Sequence, residues 1–169
     1  MRMLQATTDE PQRGFSGCTF GPMDLDNSPS LDAKKRRYDE AYMRMALEWA
    51  KLSHCERKQV GALIVKDQMI IADGYNGTPS GFPNVCEADD GTTHWYVLHA
   101  EANAITKLAK SSNSAEGATL YITLSPCREC AKLIHQAGIV RVVYGDAYKD
   151  PSGLDFLNQA GVEIVHLSA

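Results

Sequence analysis

A chain of 169 residues has single-domain length, and its balance of 44% hydrophobic to 22% charged residues is that of a globular protein with a substantial core. A formal net charge of −4 argues against a binder of duplex nucleic acid, which carries a basic stripe. No apolar run approaches the ~20 residues needed to span a bilayer, so no membrane partner is expected.

The N-terminal segment up to Ser30 is rich in Thr, Ser, Pro, Gly and Asp without hydrophobic period, and it lacks the apolar core of a signal peptide. Residues 1–31 therefore read as a flexible extension, residues 32–169 as one folded domain, and the setting as cytoplasmic. The five cysteines, Cys18, Cys55, Cys86, Cys127 and Cys130, fit a reducing compartment, where clustered thiols serve as metal ligands or catalysts.

From Asp32 the pattern changes. Tyr38, Ala41, Tyr42, Met45, Trp49 and Leu52 recur at helical steps and predict an amphipathic helix over about 35–53, with Lys34–Arg37 as a solvated first turn. The apolar runs Val60–Val65 and Met69–Ile71, split by Lys66-Asp67-Gln68, predict a hairpin of two buried strands. Asn76 to about Tyr96, with Gly77, Pro79, Gly81, Pro83 and Gly91, is a loop long enough to imply a function. Helix and strand then alternate: helix His99–Lys110, strand Ala118–Leu124, helix Cys127–Ala137, strand Val140–Tyr144, a short helix near Gly153–Gln159, strand Val162–Val165. The class is α/β, a three-layer α/β/α fold with helices on both faces of one sheet.

Two clusters carry chemistry, and each opens a predicted helix. The first is His99-Ala100-Glu101; the second is Pro126-Cys127-Arg128-Glu129-Cys130. Cysteines three apart at a helix start converge on one ion, and both the helix dipole and a metal stabilise their thiolates. One His and two Cys suit tetrahedral Zn²⁺ and leave a fourth position open, whereas a closed structural site takes four protein ligands. Glu101, two residues beyond the histidine, is badly placed to ligate the same ion but well placed to move protons beside it. Alone, Cys-x-x-Cys reads as a redox pair and His99 as a core histidine. Together and in this order they form the H-x-E…P-C-x-x-C signature of zinc nucleobase deaminases.

At these residues the chain resembles the deoxycytidylate (dCMP) deaminases, from about Tyr38 to Leu167. The resemblance rests on Gln59-Val60-Gly61-Ala62, Gly74-Tyr75-Asn76-Gly77-Thr78-Pro79, His99–Ile105, Tyr121–Cys127 and Ala131–Tyr144. It implies a mixed five-stranded sheet of order 2-1-3-4-5, Zn²⁺ on His99, Cys127 and Cys130, and Glu101 as the proton shuttle. It also implies hydrolysis of dCMP to dUMP and ammonia, a step in pyrimidine nucleotide metabolism that feeds dTMP synthesis. Asn76 would bond the deoxyribose, the Ala100 backbone would read the pyrimidine edge, and Ser125 and Tyr148 would line the pocket. Arg57, Lys58 and Lys149 are candidate phosphate contacts.

Relatives commonly form homo-oligomers, so a hexamer or dimer is expected, and some respond to dCTP and dTTP at a site between subunits. Some hold a further zinc, for which Cys55, Cys86 and His94, with His54 nearby, are the candidates here. The loop is shorter than in viral and animal relatives, which bears on both the ligand set and regulation. The rivals are a deaminase of dCTP, cytidine, a free base or tRNA adenosine, and a non-catalytic zinc-binding module. The acidic charge weighs against tRNA, and retention of Glu101 weighs against a silent module.

Overall fold

A computed structural model describes residues 30–167; most of the extension expected over residues 1–31, including Cys18, lies outside them. Four helices, α1 (Leu31–Ala50), α2 (Ala100–Leu108), α3 (Arg128–Gln136) and α4 (Ser152–Gln159), surround five strands: β1 (Gly61–Lys66), β2 (Met69–Tyr75), β3 (Thr119–Leu124), β4 (Arg141–Asp146) and β5 (Glu163–His166). The strands form one mixed sheet in the expected order β2-β1-β3-β4-β5. The pairs β2–β1 and β1–β3 are antiparallel, and β3–β4 and β4–β5 are parallel.

The period-two alternation of strand side chains divides the core between the two faces. On one face Leu63 and Val65 of β1, Tyr121 of β3 and Val143 of β4 meet Tyr42, Met43 and Ala46 of α1. On the other, Ala62, Ile64, Leu120, Ile122 and Val142 meet Ala100, Ala104 and Leu108 of α2 and Ala131 and Ile134 of α3. The β1–β2 turn places Asp67 and Gln68 at positive φ (49° and 62°), the conformation of a tight hairpin turn, and the Tyr42 hydroxyl donates to the Gln68 carbonyl at 2.7 Å.

Two expectations need correction. The second hairpin strand is not wholly buried: β2 is an edge strand, with Met69 and Ile70 exposed and only alternate residues beyond them buried. On α1 the buried stripe is Asp39, Tyr42, Met43, Ala46 and Ala50, whereas Tyr38 and Met45 face solvent, and Leu52, also exposed, lies past the helix end at Ala50. A buried aspartate hid this register from the apolar pattern.

Asp39 is buried because the sheet supplies its partners. Arg141, at the start of β4, grips its carboxylate with two bonds of 2.8 Å, and the Tyr121 hydroxyl donates to it at 2.7 Å. The arginine also donates to Glu163 at 3.0 Å, and Lys35 meets Glu163 at 3.0 Å. Burial alone would raise the Asp39 pKa, but the hydrogen bonds from Arg141 and Tyr121 and the guanidinium charge outweigh it and hold the carboxyl below its usual range.

Removing one partner of such a pair strands the other charge, so Asp39→Asn is expected to cost about 3–5 kcal/mol, read from urea midpoints at pH 7. Because the folded pKa is depressed, the pair stabilises above the unfolded aspartate pKa of about 3.9 and loses that contribution as pH falls toward the folded value. The gap between wild type and Asp39→Asn should hold steady from pH 7 to about 5 and narrow below about 4.

Candidate metal centre and substrate pocket

Helices α2 and α3 begin at one point, and the ligands stand at their first positions. His99 and Cys127 are the N-cap residues, both extended (φ −72° and −71°), and neither side chain caps its own helix. Their side chains turn toward each other instead. His99 Nδ1 lies 3.5 Å from Cys127 Sγ and 3.4 Å from Cys130 Sγ, and Cys130 is buried in the first turn of α3. Among the described residues this is the one His/Cys/Asp/Glu cluster with metal-ligand spacing.

The donor set fits Zn²⁺: one borderline nitrogen and two thiolate sulfurs within reach of a common centre, with one coordination position left over. The local electrostatics agree. Hydrogen bonds from Cys130 and His99 bring the Cys127 thiol down to about 3, while its role as donor to Cys127, together with burial, pushes Cys130 up. The unpaired N–H groups of the α3 first turn also favour negative sulfur.

Glu101 is 3% exposed and sits inside the same pocket. Burial pushes its carboxyl up to about 7, so it exchanges a proton near neutrality. The pocket is a cavity of about 240 Å³ whose floor is His99, Ala100 and Glu101 and whose walls include Asn76, Ser125 and Tyr148. Of the expected residues, Glu101, His99, Cys127, Asn76, Ala100, Ser125, Tyr148, Arg57 and Lys58 border this cavity, whereas Cys130 and Lys149 do not line it.

What fixes α2 was not legible as chemistry. The long loop leaves at Gly77 and returns at Leu98, where the two backbones exchange hydrogen bonds of 3.0 and 2.9 Å, so the chain reaches His99 from a closed base. Asn103 Nδ2 donates to the Tyr75 carbonyl at 2.7 Å and ties α2 to the end of β2. At Gly74 the helix lies almost on the strand backbone: a Cβ there would come 2.6 Å from Ala104 N and nearer still to the Ala100 carbonyl oxygen. Gly61 serves α1 the same way, with a Cβ placed 2.6 Å from Ala50 N. The motif glycines are contact points between helix and sheet.

The remaining expected residues are placed as follows. The Asn76 amide is largely spent on the protein, its Oδ1 accepting from Val60 N–H and its Nδ2 donating to the Lys58 carbonyl, both at 2.8 Å. Cys55 and Cys86, both buried, are joined in a disulfide with Cα atoms 5.1 Å apart. Disulfide sulfur is no thiolate ligand, so neither the further zinc expected at Cys55, Cys86 and His94 nor the reading of these two cysteines as reduced thiols agrees with this pairing. His94 instead stacks on Tyr96 at 4.9 Å, and His54 is exposed. The disulfide, with Glu87 accepting from the Glu56 and Arg57 amides at 3.3 and 3.4 Å, fastens the long loop to the segment after α1.

Three open-site ligands at two helix starts, with a buried carboxylate in the same cavity, are the equipment of a zinc-dependent hydrolytic deaminase. The model of the cytidine and deoxycytidylate deaminase zinc-binding region matches residues 36–146, and the chain belongs to that family. It is 48% identical to a dCMP deaminase from cyanophage S-TIM5, solved in complex with dCMP and dUMP, over 78% of this chain and 97% of that one, with a TM-score of 0.76. It is also 40% identical to the deoxycytidylate deaminase of Mycobacterium phage D29, over 63% of this chain and 93% of the relative. The deoxycytidylate deaminase of enterobacteria phage T4 is 35% identical, over 68% and 82% respectively.

The Gly74 contact yields a prediction. Gly74→Ala should lower the folding stability by about 1–3 kcal/mol through overpacking, and moving α2 should weaken zinc retention. Denaturant midpoints and zinc content after dialysis against a chelator check both.

Proposed function

We propose that the protein hydrolyses dCMP to dUMP and ammonia and so supplies the precursor of dTMP. The observation that carries the reading is Glu101 buried beside the His99/Cys127/Cys130 cluster in one nucleotide-sized cavity. The likeness to a dCMP deaminase solved with dCMP and dUMP supports it.

His99, Cys127 and Cys130 hold the metal, and bound zinc supplies the Lewis acidity that makes water a nucleophile at neutral pH. The chain's own residues do the rest. Glu101 takes the proton of the attacking water and delivers it to N3 as the C4–O bond forms. It then takes the remaining proton from the C4 hydroxyl and passes it to the exocyclic amine, the C4–N bond breaks, and ammonia leaves a C4 carbonyl behind. A carboxyl whose pKa lies near 7 is suited to both directions of transfer. The first N–H groups of α2 have no acceptor within the helix, and Ala100, fully buried on the cavity floor, offers the pyrimidine edge its backbone. Asn76 has one N–H and one lone pair left for the sugar.

Of the three cations considered for the phosphate, Lys149 is not in the pocket lining and Lys58 is paired with Asp146 at 3.1 Å. Arg57 lines the pocket, its guanidinium donates to Thr93 Oγ1 at 3.2 Å, and that guanidinium has no carboxylate partner among the described residues. We assign the phosphate to Arg57.

Homo-oligomerisation and a response to dCTP and dTTP belong to the same reading on family resemblance, as does a cytoplasmic setting. Among the described residues no helix is long and apolar enough to cross a membrane. Trp95, 93% exposed beside the pocket loop, is surface that an assembly would cover. Sedimentation with and without dCTP tests this.

Ammonia release from zinc-loaded protein should be strong with dCMP and weak with cytosine, cytidine and deoxycytidine; turnover confined to another of these would move the protein to a different branch. Glu101→Gln should retain zinc and lose about 10²–10⁴-fold in kcat. Arg57→Gln should lose about 10- to 100-fold in kcat/KM for dCMP with residual deoxycytidine turnover unchanged. Equal losses on both would remove Arg57 from the phosphate.

A further inference from the structure

Ser125 follows the last residue of β3 and stands two positions before Cys127, and it is among the residues expected to line the pocket. Its bonds point elsewhere. The residue is 4% exposed, and it holds one neighbouring segment twice: its N–H donates to the Asp146 carbonyl at 2.9 Å, and its Oγ accepts the Tyr148 N–H at 2.7 Å. Tyr148 is half-buried and forms a wall of the catalytic cavity. Beyond it the chain enters α4, where Gly153 lies so close to the metal-ligand turn that a Cβ would come 2.8 Å from the Cys127 carbonyl carbon. The segment carrying the tyrosine is thus pinned before and after it, and among the described residues the Ser125 hydroxyl is the side chain that fixes the Tyr148 backbone itself.

We propose that Ser125 is a positioning residue that acts through Tyr148. By holding the tyrosine's amide it sets the tyrosine wall of the pocket, and so sets affinity for the nucleotide while the proton transfers at Glu101 proceed without it. This rests on the reading of the cavity as the nucleotide site. Removing the hydroxyl leaves the Tyr148 N–H without its partner and lets the wall move, while the backbone bond to Asp146 keeps the end of β3 in place.

The test is a double-mutant cycle on Ser125→Ala and Tyr148→Ala, read by KM and kcat for dCMP, by calorimetric dUMP binding and by zinc per chain. Ser125→Ala should raise KM and the dUMP Kd about fivefold to tenfold with kcat and zinc content retained. In the Tyr148→Ala background the same substitution should add nothing. Additive losses would mean that Ser125 touches the nucleotide itself, and a loss of zinc or of kcat would mean that it serves the Cys127 turn; either overturns the proposal. Ser125→Cys, nearly isosteric with a weaker acceptor, should act in the same direction and covers the case in which the alanine variant does not fold. Hydrogen exchange at the Tyr148 amide should be faster in each Ser125 variant. That readout needs no substrate, so a wild type silent on dCMP would sink the proposed function while the exchange still decides the role of Ser125.

Discussion

Two helices that start at the same point govern this molecule. A helix N-terminus offers unpaired amides and a partial positive charge, and here α2 and α3 each contribute one. The residues that would ordinarily cap them, His99 and Cys127, leave their own amides alone and turn toward each other. Each helix therefore gives up a local stabilisation, worth about 1 kcal/mol in a capped helix, for a shared centre that a metal can occupy. The sheet makes this meeting possible. β1 lies between β2, which leads toward α2, and β3, which leads into α3, so both routes end on the same side.

The other face has a different task. There α1 is held by apolar packing and by a buried charge cluster in which Asp39 satisfies Arg141 and Tyr121 together. A buried ion pair is a poor source of stability compared with well-packed apolar side chains; what this one does is tie α1 to β3 and β4 through Tyr121 and Arg141. The face away from the metal cluster carries the buried charge cluster, and close glycine contacts between helix and strand occur on both faces, Gly61 against α1 and Gly74 against α2.

Much of this was readable beforehand, for physical reasons. Buried strands are short apolar runs, and ligands at helix starts follow a fixed spacing, so β3, α3 and the set His99, Glu101, Cys127 and Cys130 could be placed from residue types alone. The α1 register could not, because Asp39 breaks the apolar stripe for the sake of a partner 102 residues away. The partial exposure of β2 was hidden because edge position belongs to the whole sheet. Gly61 and Gly74 were visible as motif letters, but their reason, a helix backbone in contact with a strand, needs three dimensions. Cys55 and Cys86 carried the least information: two thiols 31 residues apart read equally as ligands or as free thiols, and only their juxtaposition shows a covalent bond.

The hydrogen-bonded closure between Gly77 and Leu98 bears on how such a chain can vary over evolution. Whatever is hung between those two positions enters and leaves through the same gate, and the entropy cost of lengthening it grows only with the logarithm of its length. Insertions and deletions there leave the register of α2, and with it the ligand, where it was. Catalysis is thereby insulated from changes in the length of this loop, and substrate choice or control by effectors can be rewritten in that stretch without renegotiating the chemistry.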